Sequence, residues 1–250
     1  MSNIDSDQSK KILYLDVGNS SIKGAFRQGL HWETIHPKGE FTASDLLKWI
    51  DDHSEKFSEI IVSGVRKDVL DAIKMNMSKV PLREVTIKDV PRNLLDYETI
   101  NSLGIDRFLA CYGATDQTSR SVVVIDAGTA ITIDYMDQDD LYQGGVIAPG
   151  FSHFMDILPD KAPALPGIDL DIPKIWPGKS TIDSLKWGQT GFYKMALEKM
   201  LTKYEEEFGH YELFITGGNG SLIEALIDRE AKLRPFLVFD GMERLVKAIS

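Results

Sequence analysis

Hydrophobic residues follow two spacings along this chain: short apolar or alternating runs, and longer runs with helical periodicity. The short runs predict β-strands and the longer runs predict α-helices. The order of elements in the first half indicates an α/β sandwich with both parallel and antiparallel strands. The predicted ranges are strands 11–17, 21–27 and 30–35, helix 43–57, strand 59–65, helix 68–77 and strand 83–87.

The second half repeats this order after a helix predicted over residues 105–117, which we expect to connect the two halves. Residues 161–179 are rich in proline and glycine and predict an extended, irregular connection. The other predicted ranges are strands 122–126, 130–136 and 141–147, a helix after Pro149 and Gly150, helix 182–208, strand 212–216, helix 222–228, strand 234–239 and helix 242–249.

Two pairs of similar stretches occur in the same order in the two halves. Residues 12–26, ILYLDVGNSSIKGAF, and residues 122–136, VVVIDAGTAITIDYM, both run from apolar residues into an aspartate and a glycine turn. Residues 60–65, IIVSGV, and residues 213–218, LFITGG, form the second pair. Such repetition predicts a duplicated domain. Each acidic turn could hold a metal ion and offer N–H groups to a phosphate. An ordinary hairpin with an acidic turn would have the same sequence.

Two acid-bearing turns in duplicated halves resemble the actin-like ATPase and sugar-kinase superfamily. The resemblance implies an α/β fold of duplicated ribonuclease-H-like domains with mixed β-sheets and flanking helices. We therefore expect an N-terminal domain over residues 11–117 and a C-terminal domain over residues 118–250. Residues 1–10 are polar, and we expect them to be disordered.

Composition narrows the classes of partner and compartment. The chain has 28 Lys and Arg residues against 38 Asp and Glu residues, and its net charge of −10 argues against non-specific binding to nucleic acid or to an anionic membrane. The single cysteine, Cys111, excludes an intrachain disulfide and fits a reducing cytoplasm, where we expect the protein. No apolar run approaches the roughly 18–20 residues of a membrane span, and the first ten residues lack the apolar core of a signal peptide.

The first candidate site is the sequence D-x-G-N-S-x-x-K in the first acidic turn. The turn N–H groups and the lysine could bind a phosphate, and the aspartate could bind Mg²⁺. The lysine alternates with apolar residues on the following strand, so an ordinary exposed strand lysine is an equal explanation. The residues of this candidate phosphate loop are Asp16, Val17, Gly18, Asn19, Ser20 and Lys23.

The second candidate site is Gly104-Ile105-Asp106-Arg107, at a predicted junction of loop and helix. Asp106 could accept the proton of a substrate hydroxyl, and Arg107 could bind a substrate carboxylate in a bidentate manner. Alternatively, Asp106 caps the helix and Arg107 is a surface cation. A third, glycine-rich stretch covers residues 144–150, where glycines would let the backbone approach a ligand or would only form a turn.

Taken together, these motifs resemble the type III pantothenate kinases, in the family's order and over residues 12 to about 220. The resemblance implies ATP-dependent phosphorylation of pantothenate to 4'-phosphopantothenate, the first step of coenzyme A synthesis. The matching stretches are DVGNSSIK from Asp16, GIDR from Gly104, DAGTA from Asp126, residues 144–150, ALP from Ala164, GKST from Gly178 and TGG from Thr216.

The resemblance also assigns roles to residues. Asp106 resembles the general base, and Tyr97, Gly104, Ile105, Asp106, Arg107 and Thr181 resemble residues that bind pantothenate. Asp16 to Ser20, Lys23 and Thr129 resemble the residues that bind the ATP phosphates. Asp126 resembles the ligand of a monovalent cation, K⁺ or NH₄⁺, and Asp16 is the candidate for Mg²⁺. The family forms homodimers with the active site at the interface, so Thr181 is expected to reach the pocket of the neighbouring subunit.

Three positions depart from the family pattern. Ser20 stands where threonine is usual, the Asn-Pro pair usual after the pocket tyrosine is absent after Tyr97, and Asn219 stands where an acid is common. The chain contains no G-x-x-x-x-G-K-[ST] sequence, so a P-loop NTPase is excluded. The alternatives are another small-molecule kinase of the same superfamily and a non-catalytic regulator resembling an accessory transcription factor.

Overall fold

The computed structural model describes residues 10–35, 42–77 and 79–249. The segment predicted to be disordered, residues 1–10, therefore lies outside the described residues except for Lys10. The chain forms two compact units, one of residues 1–91, 99–109 and 238–250, and one of residues 92–98 and 110–237. The sequence-based boundary lay between residues 117 and 118, whereas the units divide within a helix and the last helix belongs to the first unit.

Ten strands and eight α-helices are named here in chain order. The strands are β1 Lys11–Val17, β2 Ile22–Gln28, β3 His31–Thr34, β4 Phe57–Gly64, β5 Leu82–Glu84, β6 Val122–Ala127, β7 Ala130–Met136, β8 Tyr142–Pro149, β9 Glu212–Thr216 and β10 Lys232–Leu233. The helices are α1 Ala43–Asp52, α2 Lys67–Asn76, α3 Ile105–Thr115, α4 Phe151–Lys161, α5 Thr181–Lys186, α6 Phe192–Phe208, α7 Gly220–Leu226 and α8 Leu237–Ala248.

Each unit contains one five-stranded mixed sheet, and the two sheets have the same topology. The strand order is β3-β2-β1-β4-β5 in the first unit and β8-β7-β6-β9-β10 in the second. In each sheet the central strand pairs antiparallel with the next strand of the chain and parallel with the strand that follows the crossover. The shared order confirms the predicted duplication.

One face of each sheet carries an apolar core. In the first unit the core side chains of β1 and β4, such as Leu13, Leu15 and Val62, pack with Leu46 and Ile50 of α1. In the second unit the inward side chains of β6, β7 and β9 pack against α6 and α7. Since side chains alternate along a strand, residues one position away from these core side chains face the other side of the sheet.

The helix predicted over residues 43–57 is wrong at its carboxyl end. Thr42 and Asp45 form a capping box that starts α1, with the Asp45 N–H donating to Thr42 Oγ1 at 3.1 Å, but the helix ends at Asp52. Phe57 instead begins β4, where it is 2% exposed and its ring lies 5.5 Å from that of Phe26. Its place in the apolar core decides its conformation, which local periodicity could not reveal.

The strand predicted over residues 234–239 is also wrong. The strand β10 ends at Leu233, and Leu237 begins α8. Leu237, Met242 and Leu245 are all fully buried, a spacing that fits one face of a helix.

The helix predicted over residues 182–208 is interrupted. A π-helical turn, Trp187–Gly191, separates α5 from α6. A Cβ at Gly191 would lie 2.5 Å from the indole ring of Trp187, so the turn requires glycine at this position.

Helix α8 is fixed to the first unit by polar and aromatic contacts. Arg27 on β2 forms ion pairs with Asp240 at 2.8 Å and with Glu243 at 3.0 Å. The indole N–H of Trp32 donates to Asp240 Oδ1 at 2.7 Å. Burial raises the pKa of the Asp240 carboxyl above its usual range, although the bonds from Trp32 and Arg27 act in the opposite direction. These contacts explain why the last helix belongs to the unit formed by the first strands.

Across the described ranges, no helix combines the length and the apolar composition that crossing a membrane would need.

Candidate active site

The first acidic turn lies at the end of the central strand of the first unit. Asp16 is 8% exposed and stands directly opposite Lys23 on β2 and Ser63 on β4. Residues directly opposite each other on neighbouring strands point to the same face, so the carboxylate, the ammonium and the hydroxyl share one side of the sheet. The Gly18 N–H donates to the carbonyl of Ser21 at 3.0 Å and closes the turn. This is the predicted phosphate loop.

The end of β4 packs tightly against this turn. The Val65 N–H donates to the Val17 carbonyl at 3.0 Å. A Cβ at Gly64 would lie 2.4 Å from the same carbonyl oxygen, so only glycine fits at that position. The motif Ser63-Gly64, which the sequence offered only as evidence of duplication, therefore supports the first acidic turn.

Residues 104–107 form the first turn of α3 and the residue before it. The Arg107 N–H donates to Asp106 Oδ1 at 2.9 Å, which fixes the carboxylate at the amino end of the helix. A Cβ at Gly104 would lie 2.5 Å from that same oxygen. Arg107 is 7% exposed. The predicted alternative of a surface cation is therefore wrong for Arg107, whereas Asp106 does interact with the helix start.

A cleft of about 520 Å³ adjoins this helix start within the first unit. The backbone of Gly104 and Ile105 forms part of its wall, next to Asp106 in the chain. Lys67 and Lys88 also line it, and neither forms an ion pair in the described part of the chain. Glu84 also lines the cleft, but it is paired with Lys74, so the lining charges without an ion pair are the two lysines, and the cleft is suited to an anionic small molecule.

The second acidic turn lies at the equivalent place in the second unit. The Gly128 N–H donates to the Ala130 carbonyl at 3.0 Å, and the side chain of Thr129 is exposed. The glycine-rich stretch reaches this turn because the Gly150 N–H donates to the Thr129 carbonyl at 3.0 Å. A Cβ at Gly150 would lie 2.2 Å from the Gly128 carbonyl oxygen. Two motifs that are separate in the sequence thus form one structure.

Tyr193, a buried residue on α6, holds the glycine-rich stretch of residues 144–150 by a hydrogen bond. Its hydroxyl donates to the Pro149 carbonyl at 3.1 Å, one residue before Gly150. Burial raises the pKa of Tyr193 to about 12.

A third motif, TGG from Thr216, closes on the second acidic turn. Gly217 has a φ of +88°, and a Cβ there would lie 2.4 Å from Asp126 Oδ1. The Asn219 N–H donates to the Ala127 carbonyl at 2.9 Å, as the Val65 N–H does to Val17 in the first unit. The asparagine that departs from the family pattern therefore has a defined place beside the turn.

The two remaining predicted residues also lie in the second unit. Tyr97 lies against the glycine-rich stretch, its ring 3.5 Å from the position of a Cβ on Gly144 and 6.0 Å from the ring of Tyr142. Thr181 is the exposed first residue of α5, directly after the N-cap Ser180, whose Oγ accepts from the Asp183 N–H at 3.0 Å.

Sequence reasoning missed two hydroxyl groups beside the acids. Within the described residues, Ser63 Oγ and Thr132 Oγ1 are buried and have no hydrogen-bond partner. Ser63 stands opposite Asp16, and Thr132 stands opposite Asp126. The repeated Ser-Gly and Thr-Gly pairs were a sequence signal for Ser63 only, because Thr132 lies outside them. Among the same residues, no three His, Cys, Asp or Glu side chains converge as a metal site.

The duplicated five-stranded sheets, each with an acidic turn on its central strand, have the fold of the actin-like ATPases and sugar kinases. The structure is similar to that of acetate kinase from Porphyromonas gingivalis, with a TM-score of 0.50 and 11% identity over 95% of this chain and all of that one. It is also similar to a conserved Campylobacter jejuni protein assigned to the Baf family of transcriptional activators, with a TM-score of 0.62 and 25% identity over 94% and 98% of the two chains.

Sequence comparison identifies the family among proteins with this fold. The profile of the type III pantothenate kinases matches residues 12–203. A type III pantothenate kinase from Flavobacterium johnsoniae is 30% identical over 216 residues, which cover 85% of this chain and 87% of that protein. The chain belongs to the type III pantothenate kinase family.

Proposed function

We propose that the protein transfers the γ-phosphoryl group of ATP to the primary hydroxyl of pantothenate, which forms 4'-phosphopantothenate. The observation that carries this proposal is the carboxylate of Asp106, held by the Arg107 N–H at 2.9 Å beside a cationic cleft. Membership of the type III pantothenate kinase family supports the same reaction.

In this proposal Asp106 is the general base. Its Oδ1 is oriented by the helix start, and its side chain is partly exposed, so the carboxylate is both fixed and accessible to a hydroxyl. A base must lie within hydrogen-bond reach of the proton that it accepts, and fixing its rotamer lowers the entropic cost of that geometry. Proton transfer from the substrate hydroxyl to Asp106 accompanies attack of the hydroxyl oxygen on the γ-phosphorus, and the bond from that phosphorus to the ADP oxygen breaks.

We assign the substrate to the cleft beside Gly104 and Ile105. Pantothenate carries one carboxylate, which matches the lysines Lys67 and Lys88 that line the cleft. Arg107 lies two residues after Ile105, which also lines the cleft. A guanidinium binds a carboxylate in a bidentate manner, so Arg107 is assigned to that group. Tyr97 is assigned to the same substrate by the family pattern, with Gly144 beside its ring as the supporting contact.

The phosphates of ATP are assigned to the two acidic turns. In the first unit, the Gly18 turn and Lys23 would bind them, and Asp16 would hold Mg²⁺. In the second unit, Thr129 would bind them, and Asp126 would hold K⁺ or NH₄⁺. The donor sets fit these ions, since each acid has a neighbouring hydroxyl on the adjacent strand and hard cations prefer oxygen ligands. When bound, the cations neutralise charge on the phosphates, as phosphoryl transfer requires.

We further propose a homodimer in which Thr181 serves the pocket of the partner subunit. The supporting observation is a series of exposed apolar side chains between residues 147 and 208 of the second unit, on and around the helices next to Thr181. Large exposed apolar side chains concentrated in one part of a chain are consistent with a protein–protein interface. The side chains are Ile147, Ile157, Leu165, Leu170, Ile175, Trp176, Ile182, Phe192, Met195, Met200 and Phe208.

The likeness to the Campylobacter protein favours one second candidate, a non-catalytic regulator. Such a protein would be expected to have lost catalytic acids or gained a basic surface. Asp16, Asp106 and Asp126 are all present, and the net charge is −10, so the kinase is better supported.

A coupled ADP-release assay with pantothenate, Mg²⁺ and ATP tests the proposal. We expect ADP release that depends on pantothenate and increases when KCl replaces choline chloride at constant ionic strength. The matched control is Asp106→Asn under the same conditions. Absence of pantothenate-dependent ADP release with K⁺ and Mg²⁺ present would contradict the proposed function.

A further inference from the structure

Asp126 has a threonine on each side of it in the second sheet. Thr132 on β7 and Thr216 on β9 both stand directly opposite Asp126 in the strand register. Their chain neighbours Ile131, Ile133 and Ile215 all belong to the apolar core on the other face of the sheet. Because side chains alternate along a strand, the carboxylate and the two hydroxyls lie on the same face.

Within the described residues, Thr132 Oγ1 is buried and has no hydrogen-bond partner. A buried hydroxyl without a partner costs folding free energy, because its bonds to water are lost and not replaced. Such a group requires an explanation, and one recognised explanation is that the group binds an ion.

The first unit also has a buried hydroxyl beside its acid, but on the parallel neighbouring strand, so it corresponds to Thr216, and the position equivalent to Thr132 is Lys23. Ser63 Oγ is also buried without a partner among the described residues, and it stands opposite Asp16, the acid equivalent to Asp126. A third buried hydroxyl of this kind belongs to Thr190, which lies in the π-helical turn and not on a strand beside an acid. Two of the three hydroxyls are therefore neighbours of the two duplicated acids.

We propose that Thr132 Oγ1 is a direct ligand of the monovalent cation, together with the carboxylate of Asp126. This inference rests on the proposed function, which assigns the cation to Asp126. An oxygen atom beside a carboxylate suits a cation better than an anion, which the carboxylate would repel. One carboxylate with neutral hydroxyl oxygens balances a single positive charge, which suits the monovalent cation that the proposed function assigns to Asp126.

The packing around the carboxylate supports this assignment. Gly217 approaches so closely that a Cβ there would lie 2.4 Å from Asp126 Oδ1. The Asp126 side chain is thereby restricted, since the backbone of residues 216–219 occupies the space next to it. A restricted carboxylate and a hydroxyl on a rigid neighbouring strand form a preorganised pair of ligands.

The test measures binding of K⁺ by its effect on thermal stability. The melting temperature is followed against KCl concentration, with choline chloride holding ionic strength constant and with Mg²⁺ and a non-hydrolysable ATP analogue present. A ligand that binds only the folded state stabilises it by RT ln(1 + [L]/Kd), so the dependence of the melting temperature on KCl concentration yields the dissociation constant, the half-saturating concentration of K⁺. The variants are Thr132→Val, which replaces the hydroxyl by a methyl group of similar size, and Thr132→Ser, which keeps it.

We expect Thr132→Val to raise the half-saturating KCl concentration by about tenfold or more, as loss of a metal-site partner commonly does. Thr132→Ser should keep the wild-type value. In buffer without K⁺, Thr132→Val should melt at or above the wild-type temperature, because it removes a buried hydroxyl that lacks a partner. Thr190→Val is the matched control, and it should leave the K⁺ response unchanged. If Thr132→Val does not fold, Thr132→Ala replaces it.

A wild-type K⁺ response in Thr132→Val would overturn this inference and leave the proposed kinase function intact. A wild-type protein whose melting temperature does not respond to K⁺ would overturn both the cation assignment and this inference. Failure of the kinase function itself is detected separately, by absence of pantothenate-dependent ADP release at high KCl.

Discussion

The carboxylate of Asp106 leaves no space for a side chain on Gly104, since a Cβ there would lie 2.5 Å from Asp106 Oδ1. The same oxygen accepts the Arg107 N–H. Glycine at position 104 and the orientation of the acid are therefore coupled. Gly104 therefore affects the proposed reaction only by leaving space for the Asp106 carboxylate.

Gly104→Ala should consequently lower kcat while the protein remains folded. The added methyl group would displace the carboxylate, and a displacement of about 1 Å in a catalytic group can cost roughly 100-fold in rate. Steady-state kinetics with pantothenate measure the effect. Gly188→Ala is a matched control, because a Cβ there meets nothing within 4 Å, and it should keep wild-type kcat.

Asp106→Asn should abolish most turnover without unfolding the protein. Asparagine keeps an Oδ1 that can accept the Arg107 N–H, but it cannot take a proton from the substrate, and a positioned base contributes about 10²–10⁴-fold. Circular dichroism and kcat are compared with those of Asp52→Asn, at an exposed position on α1. A variant with half of the wild-type kcat would remove Asp106 from this role.

Asp126→Asn should abolish activity or raise the KCl concentration that activity requires. The variant removes the negative charge that favours a cation, and residues 122–137 contain no lysine or arginine that could replace the ion. Initial rates are measured against KCl at constant ionic strength. Full activity of the wild-type protein without K⁺ or NH₄⁺ would show that Asp126 is a structural or Mg²⁺-linked acid.

Phe192→Glu should convert the protein towards monomer and lower its specific activity in proportion to the dimer lost. Phe192 is 59% exposed and stacks against Phe154 with ring centroids 6.0 Å apart, so a charge there would oppose burial in an interface. Size-exclusion chromatography with light scattering is compared with activity over a dilution series. Leu30→Glu, at a side chain 90% exposed in the first unit, is the control and should change neither. Activity independent of concentration in a monomeric sample would refute the role proposed for Thr181.

Tyr193→Phe should change how stability depends on alkaline pH. Burial raises the pKa of Tyr193 to about 12 from the ordinary 10.0, so between these values the unfolded chain loses this proton while the folded protein keeps it. The free energy of unfolding of the wild-type protein must then decrease as pH rises through this window. The variant lacks this contribution. At neutral pH it should be less stable by about 1 kcal/mol, because its bond to the Pro149 carbonyl is lost, and the difference should shrink by pH 11.

Urea denaturation of the two proteins at pH 8, 10 and 11 measures this effect. Tyr14 and Tyr211 also have pKa values raised mainly by burial, but they titrate in both proteins and cancel in the comparison. A difference in stability that stays constant with pH would show that the pKa of Tyr193 is not raised.

The sequence predicted the sheets better than the boundaries of the helices. Apolar runs and the repeated acidic turns identified nine of the ten described strands, all except β10, because that pattern is local. Phe57 and residues 237–239 were misassigned because their conformation depends on burial against distant elements, Phe57 against Phe26 and residue 239 against Trp32. Local periodicity carries no record of such contacts.

In the candidate site too, features local to the sequence were predicted and features that depend on folding were not. Both acidic turns and the Gly104–Arg107 motif were identified because their residues are adjacent in the chain. The approach of Gly150 to Thr129, and of Gly217 to Asp126, depends on the return of β8 and β9 to the central strand of the sheet. The buried hydroxyl of Thr132 could not be predicted, because whether a polar atom has a partner is decided only by the folded packing.

The position of α8 has a consequence for the order in which the protein is made. Arg27 and Trp32 find their partners Asp240 and Glu243 only after residues 110–237 have been synthesised. The first unit is therefore completed only after the second, although most of its residues precede the second unit in the chain. The second unit, once residue 237 has emerged, already has every strand of its own sheet. During translation, the strands of the unit that carries Asp106 are therefore made before the second unit, and its helix α8 is made after it.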